Sequence, residues 1–63
     1  MKEAKVILNK IEGCQEGIMI VEESGFYYVG MKFDKIGVQR FACSPSYKTI
    51  KGAEQFARKI YAA

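Results

Sequence analysis

The chain has 63 residues, 49% of them hydrophobic and 27% charged, and a formal net charge of +3. That length suits one domain whose core only marginally outweighs chain entropy, and the composition is that of a globular protein rather than a disordered tail. Unbroken apolar runs such as Ile18 to Val21 reach only four residues, far short of a membrane span.

From the N-terminus, Ala4 to Glu12 predicts a first strand, with Val6, Ile7, Leu8 and Ile11 as its bulk, ended by Gly13 and the polar stretch to Gly17. No long apolar segment or small-residue cleavage site precedes it, which predicts a cytoplasmic protein without a secretory signal. Ile18 to Glu23 predicts the second strand, and Glu23-Ser24-Gly25 a tight hairpin turn, because glycine tolerates positive φ. Phe26 to Asp34 then alternates: Tyr27, Val29, Met31 and Phe33 fall on one face, Phe26, Tyr28, Gly30 and Lys32 on the other. The first of these faces is the one expected to be buried. Asp34-Lys35-Ile36-Gly37 turns the chain into a fourth strand, Val38 to Cys43, whose irregular pattern predicts a bulge or a sheet edge.

Ser44-Pro45-Ser46 breaks the sheet, since proline cannot donate to a ladder. Beyond it, Ile50, Ala53, Phe56, Ala57, Ile60 and Tyr61 are spaced 3, 3, 1, 3 and 1, the stripe of an amphipathic helix. Thr49 is its expected N-cap, and Arg58 and Lys59 suit the negative end of its dipole. The stripe needs an apolar partner, and the Tyr27, Val29, Met31, Phe33 face supplies one. Residues 1–63 are thus expected to form a single α+β domain, an antiparallel β-meander of three to four strands packed against one C-terminal α-helix.

Catalysis finds little support in this sequence. There is no histidine, nucleophile motif or glycine-rich phosphate loop, and Glu22 and Glu23, adjacent on a strand, point to opposite faces. Cys14 and Cys43 form no CxxC pair, so neither a metal site nor a cofactor is expected, and both thiols read as reduced, packed as small hydrophobes.

Charge is more informative. Residues 1–23 carry a net −2, whereas residues 24–63 carry +5, seven Lys or Arg against Asp34 and Glu54. Lys32, Lys35 and Arg40, interleaved with Tyr28 and Phe41, combine phosphate attraction with rings for stacking, provided the sheet face opposite the helix is open. Lys48 and Lys51 flank Thr49 where a helix dipole disfavours cations, so Ser46, Lys48, Thr49 and Lys51 form a candidate anion site. The bland alternatives are lysines extended into water and a solvated sheet face. Phe26 and Tyr28, if exposed, favour instead a protein partner or a second copy of the chain.

Gly25-Phe26-Tyr27-Tyr28-Val29, Asp34-Lys35-Ile36-Gly37, Tyr47-Lys48-Thr49 and Ala53-Glu54-Gln55-Phe56 together form a recognisable pattern. It resembles the arm-site DNA-binding domains of phage and transposon integrases, whose three-stranded sheet enters the major groove. The resemblance covers residues 25–60 and implies that Lys32 and Arg40 face DNA, with Tyr28 as an accessory contact. This chain departs from the pattern in its additional N-terminal strand and in a sparser basic run after the turn, Val38-Gln39-Arg40. The expectation is a non-catalytic, nucleic-acid-associated protein of phage or mobile-element origin. The alternative is a protein–protein interaction module or inhibitor that docks through exposed aromatics with a basic rim.

Overall fold

The structure, a computed structural model, describes residues 4–63. Four strands, β1 (Lys5–Leu8), β2 (Met19–Glu23), β3 (Phe26–Phe33) and β4 (Gly37–Arg40), precede one helix, α1 (Ile50–Tyr61). The strands form one antiparallel sheet in the order β1-β2-β3-β4, with α1 packed on one side, so the expected α+β meander is the fold observed.

The β2–β3 hairpin closes as its sequence predicts. Glu23 pairs with Phe26, and the two turn residues, Ser24 and Gly25, both hold positive φ, 55° and 84°. That geometry matches the right-handed twist of the flanking strands, which sets Ile20 opposite Val29 on the face toward the helix. β1 is shorter than its apolar content suggests. Its register slips between Val6, opposite Val21, and Leu8, opposite Ile20, and this bulge lets both Ile7 and Leu8 pack against the core. Ile11, expected on the strand, reaches the core from the loop that follows.

Ile11, Ile18, Ile20 and Val29 meet Ala53 and Ala57 of α1. Alanine on the inward face of α1 brings the helix backbone close to the sheet, while Ile50, Phe56 and Tyr61 pack around the contact. The Thr49 side chain accepts from Gly52 N–H at 3.1 Å, the expected cap. The loop before β2 is fastened to the far end of the helix: Arg58 Nε donates to Glu12 O at 3.0 Å, Gln15 N to Tyr61 O at 2.9 Å and Ala63 N to Gly13 O at 3.1 Å.

The opposite face of the sheet departs from the expectation of an open surface. Val21 and Val38 lie on it, yet they are 0% and 8% exposed. The sheet curls there, and Gly30 is the residue that permits it. A Cβ at Gly30 would collide with the carbonyl oxygen of Gln39 and lie 3.0 Å from the Arg40 Cα, so β4 bends inward over that position. The chain entering β1 meets β4 as well, Ala4 N donating to Val38 O at 2.9 Å. Curling away from the helix also withdraws the end of β3 from it. Of the face expected to be buried, Val29 is enclosed, Tyr27 and Met31 are half-buried and Phe33 is exposed.

β4 ends at Arg40 rather than Cys43, and the expected irregularity is a turn closed by Ser44 N donating to Phe41 O at 3.1 Å. Past this turn the edge of β3 is completed piecemeal. Phe41 N donates to Val29 O at 2.8 Å, the Ser44 hydroxyl accepts from Val29 N–H at 3.0 Å, and Tyr27 and Tyr47 exchange backbone hydrogen bonds of 2.7 and 2.9 Å. Ser44, 6% exposed, thereby stands in for a missing strand.

Candidate nucleic-acid interface

The residues expected to make the sheet surface divide into two groups. Arg40 extends over Tyr28, with its guanidinium carbon 4.3 Å from the ring centroid, and its Nε reaches the Glu23 carboxylate at 2.8 Å. The stacking face of Tyr28 is therefore occupied, and the charge of Arg40 is answered by an acid from the negative half of the chain. Pairing explains how the three meet. Glu23 lies opposite Phe26, Tyr28 opposite Val21 and Arg40 opposite Gly30, all on the curled face, and the missing side chain at Gly30 leaves room for β4 to bring Arg40 inward.

Lys32 and Lys35 behave differently. Lys32 pairs with Val38 near the end of β3, and Lys35 occupies the turn Asp34-Lys35-Ile36. Both are exposed, and neither has an ion-pair partner among the described residues. β2 accompanies β3 only as far as Gly30, so the hairpin from Met31 to Gln39 extends past the end of β2.

At the helix start Ser46, Lys48, Thr49 and Lys51 are all exposed, and the first turn of α1 holds no acidic residue. Thr49 already accepts one of the free helical N–H groups, which leaves fewer for an anion. Lys48 and Lys51 form no ion pair among the described residues; the one ion pair of the helix is Arg58 with Glu54, 3.6 Å. The two lysine clusters occupy opposite ends of β3. Lys48 follows Tyr47, which is bonded to Tyr27, whereas Lys32 and Lys35 flank Phe33. The six residue steps of strand from Tyr27 to Phe33 separate them by about 20 Å at roughly 3.3 Å per residue. A small anion cannot bridge that distance, but a polymer of phosphates can.

Glu23, Gly30 and Ser44 determine the shape and charge of this surface without standing out in the sequence. Glu23 reads as a polar strand end, and its pairing with Arg40 follows only from the curl. The two thiols also separate. Cys14 is half-buried against the core, but Cys43 is exposed, so the expectation that it packs as a small hydrophobe fails. It sits beside the Tyr61 hydroxyl, whose pKa is raised above its ordinary value by burial first and by the Cys43 contact second. The described residues enclose no cavity and hold no cluster of three or more His, Cys, Asp or Glu side chains. No helix of the described residues is long and apolar enough to cross a membrane. No family model, curated protein or solved structure matches the chain.

Proposed function

We propose that the protein is a non-catalytic, cytoplasmic nucleic-acid-associated protein, of phage or mobile-element origin, that contacts the phosphate backbone through lysines. One observation carries the reading. Both arginines of the basic half are engaged within the molecule, Arg40 with Glu23 and Arg58 with Glu54 and Glu12 O, while Lys32, Lys35, Lys48, Lys51 and Lys59 have no ion-pair partner among the described residues. Unanswered lysines at both ends of a strand suit a long, repeating anion, whose neutralisation releases counterions. Tyr28 and Arg40, paired with each other and, through Arg40, with Glu23, contribute shape rather than direct contacts.

Fluorescence anisotropy with labelled duplex DNA, single-stranded DNA and RNA tests this. Affinity is expected to fall linearly with salt on logarithmic axes, and replacing Lys32, Lys35, Lys48 and Lys51 by Gln is expected to flatten the slope while Arg40→Gln leaves it nearly unchanged. Absence of binding to all three probes at low salt would overturn the proposal. The exposure of Phe26, 38%, favours the second reading, a protein-docking module or a self-associating chain, which a concentration-dependent sedimentation coefficient abolished by Phe26→Ser would support.

A further inference from the structure

The end of the β3–β4 hairpin adds apolar exposure and a braced turn to the lysines already described. Ile36, in the turn, is 57% exposed, the highest value among the exposed large hydrophobics, and Phe33 beside it is 37% exposed. For a chain this short, whose core depends on a handful of aliphatic side chains, leaving an isoleucine in water forgoes burial that stabilises. The turn is also braced. Gln39 Nε2 donates to Ile36 O at 3.1 Å, Gly37 supplies a φ of 76°, and the Phe33 ring meets Phe41 edge-on at 6.4 Å between centroids. Ile36 is thus held outward on a fixed support. Lys32 and Lys35 precede it in the same hairpin, and Asp34 is the only acid in the segment from Met31 to Gln39.

We propose that this tip enters duplex DNA, with Ile36 wedged against a base step in the minor groove and Lys32 and Lys35 on the flanking phosphates. The inference rests on the nucleic-acid reading above and specifies its contact. An apolar wedge accompanied by cations suits insertion between base steps, whose stacked faces are apolar, beside walls of phosphate, and prising a step apart kinks the duplex. The pre-formed turn lowers the ordering cost of insertion. Insertion of this kind favours flexible pyrimidine–purine steps, because these unstack most easily.

The test combines anisotropy with end-to-end energy transfer on a doubly labelled duplex carrying a central TA step, at several salt concentrations. Wild type is expected to bind and to shorten the end-to-end distance. Ile36→Ser is expected to lose about tenfold in affinity or more and to lose the shortening, with the salt slope unchanged, because it removes the apolar contact that offsets the cost of unstacking the step. Lys32→Gln with Lys35→Gln is expected to reduce the slope by about two. All three positions are exposed, and matching urea midpoints confirm that each variant is folded. Duplex binding without shortening, or with Ile36→Ser indistinguishable from wild type, overturns the wedge and leaves the phosphate reading standing. No duplex binding overturns the wedge; no binding to single-stranded DNA or RNA either, with Ile36-dependent binding to vesicles of phosphatidylserine, overturns both and assigns the tip to an anionic membrane surface.

Discussion

Gly30 has a φ outside the left-handed region, so its role lies in the space it leaves rather than in the conformation it adopts. Two effects oppose each other in Gly30→Ala. Alanine restricts the unfolded chain, which stabilises by about 0.4–1 kcal/mol where the native site accommodates it. Here the new Cβ meets the Gln39 carbonyl and the Arg40 Cα, which are backbone atoms of a paired strand and cannot rotate away. Overpacking of this kind costs about 1–3 kcal/mol, so the clash wins. Gly30→Ala is expected to lower the urea midpoint and, by pushing β4 outward, to separate Arg40 from Glu23. Gly25→Ala offers a contrast, because its Cβ would meet nothing but its φ of 84° resists any side chain. Strand alternation marked Gly30 as one more residue on the outer face. Its constraint is a contact with residues 39 and 40, and such a contact is absent from any local pattern.

At the level of elements, the helix was the most legible part of the sequence. Its apolar spacing, the threonine before it and the basic residues in its last turn are local signals, and α1 begins directly after Thr49 as they require. Thr49→Ala removes an acceptor from Gly52 N–H and is expected to cost about 1 kcal/mol, read as a lower urea midpoint with an unchanged slope. Thr49→Asp is expected to match or exceed wild type, since a carboxylate caps as well and also offsets the nearby Lys48 and Lys51. The hairpin turn at Ser24-Gly25 was equally legible, for the same reason. The strand ends were not. β1 stops early because a bulge redirects its apolar run, and β4 stops early because the Ser44 hydroxyl and Tyr47 take over the edge of β3. Both outcomes depend on partners distant in sequence. The predicted lysines are in the expected elements, but their separation along β3 and the capture of Arg40 by Glu23 follow from how those elements curl together.

For the molecule as a whole, the curl decides between two pictures with different energetics. A flat two-layer sandwich buries only the face toward α1, so Ile20 would be core and Val21, its neighbour, would face water. In the curled sheet both are fully enclosed, Ile20 against Val29 and the helix, Val21 between Val6 and Tyr28 on the other side. Truncating Ile20 to Ala should cost about 2–5 kcal/mol in either picture. The total available is itself small: at roughly 0.05–0.15 kcal/mol per residue, a chain of 63 residues has only about 3–9 kcal/mol, so that variant should lose a large share of its stability. Val21→Ala is the discriminating substitution. On a flat sheet it changes stability by less than about 0.5 kcal/mol, as solvent-facing replacements do. With the second face enclosed, loss of two methyl groups at about 0.8 kcal/mol each, plus a cavity contribution, should cost about 1.5–3 kcal/mol. Urea denaturation followed by circular dichroism separates the two values. A Val21→Ala midpoint equal to that of wild type would restore an open sheet face and return Tyr28 and Arg40 to the candidate contact surface; a large drop would leave the exposed lysines as its remaining cations.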